Sequence, residues 1–140
     1  MSLFNVFNIA GSAMNAETIR LNTTASNLAN AESVNGDATK VYRARHPVFQ
    51  AMMDTDAGLD DEDASTGVRV LGVVESNTPP LKTYEPGNPL ADKDGYVYTS
   101  NVNSIEEMTN MISANRSFAT NVLAVNTARD LLLKVISMGH

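Results

Sequence analysis

An almost uncharged, proline-free run opens the chain and constrains the fold more than any other feature. Leu3, Phe7, Ala10, Met14, Leu21 and Leu28 recur at three–four spacing between residues 3 and 31, interrupted at Glu17 and Thr24. That spacing places them on one face of a single helix. Gly11 is the only glycine within it. Such a helix would be roughly 40 Å long at 1.5 Å per residue, which is long for a chain of 140 residues. The opposite face carries Asn5, Asn8, Ser12, Asn15, Asn22, Thr23, Ser26, Asn27 and Asn30. Helices facing water usually place Glu, Lys and Arg there. Short amides and hydroxyls instead allow close approach without desolvating charge, so this side is expected to meet protein too. A solvated polar face in a monomer is the alternative.

The other end of the chain mirrors this one. A second long helix is predicted from Asn103 or Ser104. Ser104 and Glu107 have the spacing of a capping box. Met108, Met111, Phe118, Val122, Val125, Leu132 and Ile136 continue the apolar seam, interrupted at Asn115 and Arg129, and Gly139 is a plausible stop. Met is adaptable filler, suited to plain core or to a surface that fits varied neighbours. The economical arrangement is α+β: the two terminal helices pair as an antiparallel coiled-coil hairpin, with a β-rich module at its far end. Two helices alone bury too little surface to be stable, so the remaining apolar area calls for partners and hence for assembly.

The organisation is therefore an N-terminal helix over 1–31, a central β-rich insert over 32–99 and a C-terminal helix over 100–140. Within the insert, Asn35-Gly36-Asp37 marks a turn. Residues 40–50 could include a strand, broken at His46-Pro47. Val68, Val70, Val73 and Val74 form a β-branched run, and Asp94-Gly95 before Tyr96-Val97-Tyr98 signals a hairpin. Residues 51–66 contain Asp54, Asp56, Asp60, Asp61, Glu62 and Asp63 and no base, which predicts an exposed loop. These six acids account for the net charge of −6, because the other ten acids are balanced by ten bases. No basic patch of the kind nucleic acid requires is present.

Chemistry is sparse. The histidines are His46 and His140, and there is no cysteine to form a disulfide or a thiolate metal site. No nucleophile elbow accompanies His46, and an ordinary turn or surface histidine is the better reading. Asp54-Thr55-Asp56 begins like a calcium loop, but Gly58 and Leu59 occupy positions that need a ligand and a glycine. Asp92-Lys93-Asp94-Gly95 lacks the remaining ligands and reads as a turn. No catalytic, cofactor or metal residues are assigned. A basic n-region is missing before the first base, Arg20, and no run approaches the ~20 apolar residues that span a bilayer. A soluble protein, or one exported without a cleavable signal, is expected.

The sequence also resembles a known family. Ser26-Asn27-Leu28-Ala29-Asn30, after a charge-poor helix, is similar to the motif shared by the axial rod and hook proteins of the bacterial flagellum. In many of those a Thr-Pro-Gly-Tyr segment follows. Here Ala31 to Gly36 stands instead, with Tyr42-Arg43-Ala44 later, a departure that points toward the proximal rod. Ile9 to Ala13, the stretch Tyr84, Pro86, Gly87 through Gly95 and Tyr96 to Asn101-Val102-Asn103, and Glu107 to Phe118 resemble further family signatures. The resemblance covers most of the chain outside about 51–66. It implies a non-enzymatic structural subunit without a cofactor, polymerising into a helical tube that transmits torque and lines part of an export channel. The implied location is the periplasmic rod of the basal body, reached through the flagellar type III export apparatus. The implied neighbours are further copies of itself, the rod proteins FlgB, FlgF and FlgG, and FliE. A soluble helical adaptor or chaperone of a secretion system is the competing reading, and an enzyme using His46 is the third.

Overall fold

The structure, a computed structural model, describes residues 3–53 and 66–139, with side chains over 5–52 and 67–139. The acidic stretch from Asp54 to Asp63 and the side chain of Leu3 lie outside the described residues. Helix α1 (Leu3–Ala29) leads to β1 (Val34–Asn35), β2 (Arg45–Met53), β3 (Thr66–Glu75), β4 (Leu81–Tyr84), β5 (Tyr96–Thr99) and helix α2 (Ser104–Met138). β1, β5 and β4 form a three-stranded sheet in that order, and β2 and β3 form a two-stranded sheet.

Two compact units share these elements. The first is Met1–Ile19, Val48–Gly72 and Ser113–His140; the second is Arg20–Pro47 and Val73–Ile112. In the first unit the buried side chains are small: Ala10, Ala16, Ala114 and Ala128. Ser12 joins helix to strand there. Its hydroxyl donates to the Ile9 carbonyl at 2.8 Å and accepts from the Val68 N–H at 3.1 Å. In the second unit Val97 of β5 is 1% exposed, and Ala31, Val41 and Ala44 are also buried. β5 is the central strand, antiparallel to β1 through Val34–Thr99 and to β4 through Tyr84–Tyr96 and Leu81–Thr99. Tyr84 and Tyr96 meet edge to face at 5.2 Å, and the Lys82 ammonium lies 3.7 Å from the Tyr96 ring centre.

The expected antiparallel coiled-coil hairpin is corrected by this arrangement. The fold is mixed, with two helices and antiparallel strands in two sheets among the described residues. A coiled coil needs large apolar knobs from each helix seated in holes of the other. α1 instead buries Ala10, Ala16, Thr23, Thr24 and Asn27, and α2 buries Glu107, Ala114 and Ala128. Met108 and Ile136, expected on the seam, are 51% and 60% exposed. The three–four pattern located the helices but not the residues that seal them.

Two local expectations also change. β2 continues through His46-Pro47 rather than breaking there, because in a two-stranded sheet each strand is an edge and proline's missing N–H can face outward. Asp94-Gly95 closes a longer connection, 85–95, in place of a two-residue hairpin turn. Within it Asp92 Oδ1 accepts the N–H groups of Tyr96 at 2.8 Å and Asp94 at 2.9 Å. The bond from Tyr96, ahead of that from Asp94, holds the Asp92 carboxyl below its ordinary value.

Gly95 has φ +80°, and a Cβ there would lie 3.0 Å from the Tyr84 ring. Gly36 is equally constrained, since a Cβ would collide with the Leu90 carbonyl oxygen. Gly95→Ala is therefore expected to destabilise the protein by about 1–3 kcal/mol, as measured by denaturant unfolding. For Asp92, a folded pKa below the unfolded value makes its stabilisation complete above the unfolded pKa and lost as pH falls through the folded one. Carboxyl NMR should place its midpoint under 3.8, and a midpoint at or above that value would remove the assigned role.

Candidate functional site

A highly interconnected side chain is Asn27, in the last turns of α1 and 1% exposed. Its amide nitrogen donates to the Arg45 carbonyl at 2.8 Å and to Glu107 Oε1 at 3.1 Å. Its amide oxygen accepts the Arg45 N–H at 2.9 Å and the Tyr42 hydroxyl at 2.9 Å. An asparagine amide has two donor hydrogens and one oxygen with two lone pairs, and all four are used. One side chain thereby ties the end of α1 to the start of β2 and the first turn of α2, all within the second unit.

The surrounding residues extend the network. Ser26 Oγ lies 3.1 Å from the Tyr42 hydroxyl, which already donates to Asn27, so Ser26 is the donor there. Asn30 Nδ2 donates at 2.8 Å to the Ser26 carbonyl, which also accepts the Asn30 N–H at 3.2 Å, and so reinforces the end of the helix. Asn101 Oδ1 accepts the Ala44 N–H at 2.7 Å, while its nitrogen donates to the Thr78 carbonyl at 2.8 Å. Asn103 caps α2, its Oδ1 accepting the N–H of Ile105 at 3.1 Å. The capping residue is thus Asn103, and Glu107 reaches across to Asn27 instead of back to Ser104. Arg45, half-exposed, pairs with Glu75 at 3.0 Å and lies 5.4 Å from the Tyr42 ring centre.

The family-motif residues named from sequence thus divide. Ser26, Asn27, Asn30, Asn101 and Asn103 make the bonds just described, and Gly95 and Tyr96 shape the 85–95 connection. Leu28 is half-buried and Val102 is half-buried, whereas Ala29, Tyr84, Pro86 and Gly87 are exposed. Among the seam residues, Ala10 is buried; Phe7, Met14, Leu21, Met111, Phe118, Val122, Val125 and Leu132 are half-buried. Tyr42, Arg45 and Glu107 were not singled out as one cluster, since the bonds join positions up to 80 residues apart. The available signal was Asn27 itself, a poor helix former inside a helix.

Other features read as structure. His46 is exposed on β2. The Asp92 carboxylate is engaged by backbone N–H groups as a turn residue. Among the described residues no cluster of three or more His, Asp or Glu could hold a metal ion. No described helix is long and apolar enough to cross a membrane.

Comparison with known proteins gives concordant matches. A family model described as flagella basal body rod protein matches residues 7–36, which include Ser12 and Ser26 to Asn30. A second, described as flagellar basal body rod FlgEFG protein C-terminal, matches residues 93–138, which include Asn101, Asn103 and Glu107. The flagellar basal-body rod protein FlgC of Salmonella typhimurium is 48% identical over 140 residues, covering 100% of both chains. The protein of the same name from Yersinia enterocolitica is 45% identical, and that from Buchnera aphidicola subsp. Schizaphis graminum 41%, each with full coverage of both chains.

Truncating Asn27 would remove its buried bond to Glu107 and its part-buried bonds to the Arg45 N–H and carbonyl and the Tyr42 hydroxyl. Asn27→Ala is expected to cost about 2–4 kcal/mol in denaturant unfolding. Asn27→Asp removes both donors and sets a second carboxylate beside Glu107. Its stability deficit should shrink as pH falls into the carboxylate range, where protonation restores a donor. A pH-independent deficit would contradict the bonding assigned to Asn27.

Proposed function

This chain belongs to the FlgC family of flagellar basal-body rod proteins and is a structural subunit of the rod, and on that premise we propose that it polymerises into the proximal rod as a helical tube. In this reading the tube transmits torque and forms part of the export channel. Its subunits sit in the periplasm after passing through the flagellar type III export apparatus. Their neighbours are further copies, FlgB, FlgF, FlgG and FliE.

The observation that carries the proposal is the apolar surface that α2 leaves uncovered. Glu107, Ala114 and Ala128 mark the face it buries within the chain. Ile105, Ile112 and Leu123 are 78%, 56% and 66% exposed. At 100° per residue the spacings of seven and eighteen align these three on the opposite side. Beyond Asp130 the helix carries Leu131, Leu133, Val135, Ile136 and Met138, all exposed, around more than half of its circumference. A helix apolar on more than one face belongs in a larger protein core. Fully covering one such side chain is worth roughly 1.5–3 kcal/mol, a stabilisation that docking of neighbours would realise. Surfaces of this kind that do not match themselves through a two-fold axis generate open helical polymers. The seam from Leu3 to Leu28 on α1 and from Met108 to Ile136 on α2 is proposed as the region through which helices of adjacent subunits pack.

The test separates assembly from folding. Ile112→Asp and Leu123→Asp change exposed residues, so unfolding stability should move by no more than about 0.5 kcal/mol. Swarming in soft agar and recovery of the chain in purified basal bodies should both be lost. Normal motility with either variant would contradict the assembly surface. His46→Ala should swarm normally, and loss of motility with intact folding would revive a chemical role for that histidine.

A further inference from the structure

In the second unit a polar cavity of about 730 Å³ opens between the end of α1, β1 and the segment 39–45. Lys40, Arg43 and Arg45 line it, against a single acid, Glu75. Lys40 is partnered by Asp37 at 3.5 Å and Arg45 by Glu75 at 3.0 Å. Arg43, half-buried, has no ion-pair partner among the described residues. The cavity therefore presents excess positive charge, with Arg45 already held against Tyr42. Its walls also carry the donors and acceptors of Asn30, Ser33 and Asn35. A guanidinium in such a setting matches a carboxylate in a two-pronged, charge-assisted contact.

The sequence supplies a ligand of that chemistry. Residues 54–63 hold six carboxylates and no base, while the remainder of the chain is neutral. In a polymer every subunit repeats this segment. Like charges brought within a screening length of roughly 8 Å repel one another, so close-packed copies need a cationic surface to receive them. We infer that the cavity lined by Lys40, Arg43 and Arg45 is the docking site for the acidic segment 54–63 of a second copy of this chain. The inference rests on the polymerisation reading above. It assigns to Arg43 a specific contact between subunits and gives the acidic segment a role in fixing how neighbours register.

The chain has no cysteine, so introduced cysteines report on this contact alone. One copy carrying Arg43→Cys and a differently tagged copy carrying Asp61→Cys would be produced together, and purified basal bodies oxidised. A covalent dimer of the two tagged chains is expected. Both copies present in basal bodies without such a dimer would sink the inference and leave the rod reading intact. Absence of both copies from basal bodies would count against the rod reading, and a second measurement then decides the inference. A synthetic peptide of residues 54–63 should bind the purified full-length chain, more weakly as salt rises. Binding should weaken about tenfold or more with Arg43→Glu. No binding, binding indifferent to Arg43, or a disulfide formed within one chain carrying both cysteines would overturn it.

Discussion

A buried amide with every hydrogen-bonding position filled is the constraint on which the second unit depends. Asn27 cannot shift without breaking bonds to Tyr42, Arg45 and Glu107 together. An apolar residue at the same place would pack with many relative orientations, whereas a saturated amide accepts one. The cost of leaving any of these buried groups unpaired exceeds the modest net gain of a single bond. The network therefore acts mainly by excluding alternatives. It fixes where α1 ends, where β2 starts and where the first turn of α2 lies.

That polar joint explains why the uncharged face of α1 is uncharged. Ser12 is spent on β3, Ser26 on Tyr42 just before β2, and Asn27 on Arg45 of β2 and on α2. Thr23 and Thr24 are buried beside them. Lysines or glutamates at these positions would have carried desolvation costs of several kcal/mol each. The expectation that this face meets protein was sound for these residues, and the protein met is the chain itself. Asn8, Asn15 and Asn22 remain exposed and are open to neighbours.

Much of this was legible in the sequence, for identifiable reasons. Helix positions follow from periodicity, and both long helices lie within a residue or two of where Leu3 to Leu28 and Ser104 to Gly139 place them. The aromatic and β-branched run after Gly95 marks β5, whereas its partner β4 at Leu81–Tyr84 carries no comparable signal. Coverage was not legible. Periodicity reports which side chains are apolar but not which are sealed, and the helix residues sealed are alanines together with Thr23, Thr24, Asn27 and Glu107. Long-range partners were equally hidden: Glu107 has a capping-box spacing in sequence and a distant amide for a partner in space. Pro47 read as a break because sheet width, which decides whether a strand proline is tolerated, is not a local property.

The same division between small buried and large exposed residues bears on how such a subunit is kept from assembling early. Its intramolecular contacts rely on alanine, serine, threonine and asparagine, which allow close approach but bury little apolar area per residue. Its large aliphatic residues Ile105, Ile112, Leu123, Leu133 and Ile136 are exposed. Under the proposed assembly, each docking neighbour would add apolar burial to a subunit whose own joint is polar. Stability then grows with subunit number by mass action, so the polymer is the state in which this sequence completes its core.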